Sequence, residues 1–258
     1  MDALAAHRDY TVRVIHLMIW YVWTLSRRPD SVSILTALDQ HVDLMRKTTL
    51  YDGRHPAEGL TPPVPEWDEL KTELASRIAP HDDPDTSTLE ADCWSFLEPF
   101  VTPNLQSAPT SKPSHGCWSY AFRDEKPLAI DIHFGNGYRP DSPFRDRRQD
   151  LIADLLKLIK DAVEERLTVT TIQCDSWLNQ FEPFAALFPQ AWNDSLHLHG
   201  GHLATYGWWG QYMDERGAFN KTRAAKFRAT GAHPYSAGEA ECEVEPVVEH
   251  LKRLLRAR

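Results

Sequence analysis

Two successive segments beyond residue 116 constrain this chain most, because they demand different secondary structure side by side. Trp118, Tyr120 and Phe122 alternate with Ser119 and Ala121, Asp124 to Pro127 supplies a turn, and Leu128, Ile130, Ile132 and Phe134 alternate with Ala129, Asp131 and His133. Period-two alternation of this kind predicts a β-hairpin. Its second strand puts the four large apolar residues on one face and forces Asp131 and His133 together onto the other. From Arg147 to Leu167 the period becomes helical. Leu151, Ile152, Leu155, Leu156, Ile159, Ala162 and Val163 form a broad apolar face opposite Asp154, Lys157, Asp161 and Glu164. That helix needs a sheet or other helices to cover it.

The pattern continues in the same mixed style. A β-branched run from Thr168 to Ile172 predicts a strand ending at Cys174 and Asp175, Glu182 to Phe188 a short helix, and Ser195 to His199 a further strand with Leu196 and Leu198 opposite His197 and His199. Lys221 to Thr230 reads as a helix stopped by Gly231, and Pro246 to Leu255 as the last one. Before residue 106 the chain is helical in period. Val14, Ile15, Met18, Ile19, Val22 and Leu25 recur at threes and fours, Pro29 ends the run, and Ser31 is placed to cap a second helix. Glu66 to Ile78 and Leu89 to Phe100 add two more. The expected organisation is α/β of the α+β kind: a helical region over 1–105, a polar, proline-rich linker over 106–116, and a mixed β-sheet with flanking helices over 117–258.

Composition narrows the partners. Of the 258 residues, 37 are acidic and 28 basic, a formal charge of -9 that opposes nonspecific attraction to nucleic acid or an anionic membrane surface. The apolar stretch Val12 to Leu25 contains Arg13 and His16 and falls short of the ~20 residues a bilayer span requires, so it reads as a core helix. The four cysteines are widely spaced with no CxxC pair, and the first residues lack the pattern of a secretion signal; a cytoplasmic location is expected.

Several side-chain groupings have chemical potential. Asp131 and His133 share a strand face, where a carboxylate can orient or charge an imidazole acting as general base. His197, His199 and His202 lie within six residues. The first two project to one side of a strand, and the glycines Gly200 and Gly201 allow the third to fold back, a feasible divalent-metal ligand set. Gly135-Asn136-Gly137 follows the second hairpin strand and reads as a turn. Tyr206 to Tyr212 concentrates aromatics between glycines, so that Tyr206, Trp208 and Gln211 are candidates to line a substrate pocket.

The order hairpin, loop, long amphipathic helix, strand, short helix, strand, carried by Leu128-Ala-Ile-Asp-Ile-His133, the helix, Cys174-Asp-Ser-Trp-Leu178 and Leu187-Phe-Pro189, resembles the later half of the GNAT acyltransferase fold. In that fold the strands before and after the long helix part to admit a pantetheine arm. The resemblance implies a small-molecule-modifying acyltransferase using acyl-CoA, with His133 or His199 as general base, Asp131 orienting it, and a small polar acceptor as substrate. GNAT enzymes carry a glycine-containing loop that binds the CoA pyrophosphate; Pro140 to Gln149 has no glycine, which leaves Arg139, Arg145, Arg147 and Arg148 to supply positive charge. Two other classes remain open on sequence: a metal-dependent enzyme built on the histidine cluster, and a non-catalytic binding or assembly protein.

Overall fold

The structure, a computed structural model, describes residues 3–58, 64–106, 113–200 and 205–257. The chain forms two compact units. The first takes Met1–Ala108 and, later in the chain, His202–Asp214 and Ala218–Ala232; the second takes Pro109–Gly201, Glu215–Gly217 and His233–Arg258. Residues 205–214 and 218–232, which the sequence groups with the sheet region, therefore cluster with the helices.

The helical unit is built on α1 (Ala3–Ser26), whose Val14, Ile15, Leu17, Met18, Ile19 and Val22 are fully buried. Burial on nearly all sides is what its apolar composition demands of a core helix. Among the described residues no helix is long and apolar enough to cross a membrane. Helix α2 (Ile34–Gln40) starts at Ser33, whose Oγ accepts from the Thr36 N–H at 3.1 Å. Ser33, not Ser31, is the cap, and His41 closes the helix at its other end. Helices α3 (Pro65–Ile78) and α4 (Ser87–Val101) follow.

In the sheet unit, β1 (Trp118–Phe122) and β2 (Ala129–Phe134) form the expected hairpin, with Ile132 opposite Tyr120. Helix α5 (Arg148–Glu165) then crosses over to β3 (Thr171–Asp175), which lies parallel to β2 as a helical crossover requires. Short helices α6 (Glu182–Ala185) and α7 (Gln190–Asp194) lead to the three-residue strand β4 (His197–His199). The chain next supplies α8 (Tyr206–Trp209) and α9 (Lys221–Thr230) to the helical unit. Trp209, Tyr212 and Phe227 there join Trp20 and Tyr21 in an aromatic core, Phe227 lying 5.1 Å from both Trp20 and Tyr21 by ring centroid. It returns as β5 (Ala237–Glu243) and ends in α10 (Val244–Arg256).

Sheet order is β1-β2-β3-β5-β4. Strand β5, antiparallel to both neighbours, is the element that the sequence reading does not anticipate. Its inward positions are Gly238, Ala240 and Cys242, and its other face carries Ala237 and three glutamates, so the alternation is present without the large apolar residues that usually signal it. Gly238 is needed because a Cβ there would come within 2.9 Å of both Leu196 Cδ1 and Leu198 Cδ2. One face of the sheet packs Ile130, Ile132, Ile172, Cys174, Ala240 and Cys242 against Leu151, Leu155 and Ile159 of α5 and Val247 and Leu251 of α10. At roughly 1.5–3 kcal/mol for each large side chain buried, this layer fixes the sheet and leaves the opposite face to polar residues.

Candidate functional site

The pairing of β2 with β3 stops early. Ala129, Ile130 and Asp131 oppose Thr171, Ile172 and Gln173, and there the ladder ends. Both strands nevertheless continue, β2 to Phe134 on its β1 side and β3 to Asp175 on its β5 side. From that point each strand keeps its outer partner and loses its inner one. The result is an opening in the ladder between the carboxyl ends of two parallel strands, immediately before the loop that leads to α5.

Register places the polar residues on the face opposite the α5–α10 layer in two rows. Asp131, Gln173 and Glu241 lie side by side on β2, β3 and β5, and one step further Asp175, Glu239 and His197 do the same on β3, β5 and β4. His133 and Asp175 each sit two residues beyond the last β2–β3 pair, so they stand on the two lips of the opening. The second-strand face predicted for Asp131 and His133 is therefore the one observed.

The local chemistry differs from the expected pair. Asp131, nearly fully buried, is engaged by the Arg123 guanidinium from the hairpin turn, and His133 Nε2 is 3.9 Å from the same carboxylate oxygen, too far for a hydrogen bond. His133 itself is 54% exposed. On the other lip His199 Nε2 is 2.8 Å from Asp175 Oδ1, an oriented imidazole–carboxylate pair. Lys126, also from the turn, pairs with Glu239 and lies 3.9 Å from Glu241. Its hydrogen bond holds the Glu239 carboxyl below the ordinary glutamate range.

Gln173 is 2% exposed, and its Oε1 has no hydrogen-bond partner. Arg123, Lys126, Gln173, Asp175 and Glu239 were not identified as site residues from the sequence. Only the position of Asp175 at a strand end hinted at one of them. Cys174 faces the core, where burial first and the nearby Asp131 and Asp175 charges second push its thiol far above the reactive range.

The loop into α5 departs from a phosphate cradle. Gly137 is a packing residue, since a Cβ there would lie 2.1 Å from the Gly116 carbonyl oxygen. Asn136 ties the loop together by donating to the carbonyls of Asp141 and Glu215. The Ser142 N–H donates to Asp146 Oδ2 at 2.9 Å and the Arg145 N–H to Ser142 Oγ at 3.2 Å. Arg145 Nε is 2.9 Å from Glu215 Oε2, Arg147 Nε is 2.6 Å from Asp150 Oδ2, and Arg139 packs against Gly217. Arg148 opens α5 half-buried.

Of the remaining predicted site residues, Trp208 and Gln211 belong to the helical unit, where both are buried and the Gln211 amide donates to the Trp208 carbonyl at 3.0 Å. The Tyr206 side chain and His202 lie outside the described residues. His197 and His199 share one strand face as expected, yet among the described residues no group of three or more His, Cys, Asp or Glu side chains is disposed to hold a metal ion. Fold and site together define an α+β protein with a polar opening between two parallel strands. No protein-family model, curated protein or solved structure matches the chain.

Proposed function

We propose that the sheet unit is a GNAT-like acyltransferase that moves an acyl group from a thioester to a small polar acceptor, an amine or a hydroxyl. The observation that carries this reading is the ending of the β2–β3 ladder at Asp131 and Gln173 while both strands run on. An extended, amide-bearing arm can hydrogen-bond to such an opening as an added strand would. The residues around the opening fit the arm of a thioester. They do not fit the pyrophosphate of CoA, because the loop amides and the arginines Arg145 and Arg147 already hold Asp146, Ser142, Glu215 and Asp150. No step is therefore routed through the nucleotide.

The chain's own groups divide the work by position. His133, on the β2 lip, takes the proton from the acceptor nitrogen or oxygen, with the Asp131 carboxylate 3.9 Å from its Nε2. The acceptor atom bonds to the thioester carbon, the carbon–sulfur bond breaks, and the departing thiolate takes a proton to leave as thiol. Asp131, Asp175, Glu239 and Glu241 outnumber Arg123 and Lys126 on this face, which favours a cationic amine as acceptor.

The test is transfer from acetyl-pantetheine to a panel of small amines and alcohols, read by thiol release. The wild-type chain is expected to turn over, and His133→Ala to lower kcat by about 10²–10⁴ with the rate at high pH least affected. Absence of thiol release with every acceptor, or a His133→Ala rate equal to wild type, removes the reading.

A further inference from the structure

The occupied loop carries a consequence for the donor, which rests on the acyl-transfer reading. Arg139, Arg145, Arg147 and Arg148, the residues left to supply positive charge in the acyltransferase reading, are joined at the entrance to α5 by Arg216. In the fold four carboxylates stand among them. Asp146 receives the Ser142 N–H at 2.9 Å and Arg216 Nη2 at 2.9 Å. Glu215 receives Arg145 Nε at 2.9 Å and also accepts from the Ser142 hydroxyl. Asp150 sits in the first turn of α5, the place where the helix dipole favours an anion, and pairs with Arg147 at 2.6 Å; Asp141 lies 3.8 Å from the same guanidinium. A pyrophosphate entering here would meet carboxylates already seated on Arg145, Arg147 and Arg216. It would have to displace charge-assisted hydrogen bonds that the protein already makes.

We infer that the donor is recognised by its pantetheine arm alone, the phosphoadenosine end of a CoA thioester contributing no binding. The shared chemistry is the arm, and its source is either a free CoA thioester, with the nucleotide left in solvent, or the same arm borne by a carrier protein. Two carboxylates on surface segments, Asp146 and Glu215, are the elements that exclude the nucleotide.

The experiment compares kcat/KM for acetyl-pantetheine, acetyl-CoA and an acetylated carrier protein, with direct titration of adenosine 3′,5′-bisphosphate into the full chain. Acetyl-pantetheine and acetyl-CoA are expected to agree within about threefold and the bisphosphate to give no binding. The carrier-borne arm exceeding both identifies the carrier as the source, whereas parity of all three assigns the arm to free thioesters. A Glu215→Gln, Asp146→Asn double variant removes two of the competing charges without touching the opening. It is expected to gain about tenfold in preference for acetyl-CoA while its rate with acetyl-pantetheine holds. Acetyl-CoA preferred more than tenfold by the unaltered chain, or bisphosphate binding to it, overturns the inference and leaves acyl transfer intact. Failure of every thioester overturns acyl transfer itself, and the inference with it.

Discussion

Glu90 in the helical unit and Asp131 in the sheet unit are both buried carboxylates held by an arginine, and each has a histidine 3.9 Å away, yet only one is complete in itself. Glu90 receives both arms of the Arg228 fork, at 2.8 and 3.1 Å, and the Thr86 hydroxyl at 2.6 Å, while Arg228 lies over the Trp20 ring. Its acceptors are saturated by neighbours on α4 and α9. Around Asp131 the neighbouring strand has begun to part, and Gln173 beside it buries an acceptor with no partner. A saturated buried network rigidifies a core, whereas a half-satisfied one at a strand opening is where a ligand completes the structure. The same residue types are thus fully paired in one unit and, under the acyl-transfer proposal, left for a ligand in the other.

The largest expected effect attacks the saturated cluster. Glu90→Ala leaves Arg228 facing an apolar neighbourhood and is expected to cost about 3 kcal/mol in urea unfolding, with the slope unchanged. Asp131→Asn is expected to cost less than half of that, because Arg123 is half exposed and recovers water when the charge is lost. Equal costs for the two would erase the distinction between them.

Gln173 sharpens the contrast from the other side. Replacing a satisfied buried amide destabilises, but Gln173→Leu removes an acceptor that the fold leaves unpaired, so stability should stay level or rise by up to about 1 kcal/mol. Acyl transfer should fall at least about tenfold in the same variant, since the atom lost is one that a ligand donor would meet. A destabilisation above about 2 kcal/mol would show instead that the amide is structural.

Much of this architecture was legible because it depends on periods. The hairpin, the long helix and the common face of Asp131 and His133 follow from alternation of large and small, apolar and polar residues within one segment. Strand β5 was illegible because its core positions are alanine and cysteine and its place between β3 and β4 is decided by pairing across the chain. That single omission hid most of the site. Asp175 meets His199 over β5, 24 residues away in sequence, and Lys126 meets Glu239 at a separation of 113. The arginines before α5 failed differently. Their number was visible, but the partner that neutralises Arg145, Glu215, arrives from a segment 70 residues on.

The smallest effect separates charge from shape on the polar sheet face. The Glu239 carboxyl titrates below its ordinary range chiefly because Lys126 donates to it. A depressed folded-state value means the pair stabilises above the unfolded glutamate pKa of about 4.3 and loses that contribution as the pH falls through the folded value. Both side chains are 42% exposed, so solvent screens the pair and its worth is on the order of 0.5 kcal/mol. Glu239→Gln should therefore lower Tm by about 1–2 °C at pH 7. The gap should close below about pH 4 and in 1 M salt. A gap that persists at pH 3 would mean that Glu239 acts through packing, making the face shaped for its neighbours and not charged for a ligand.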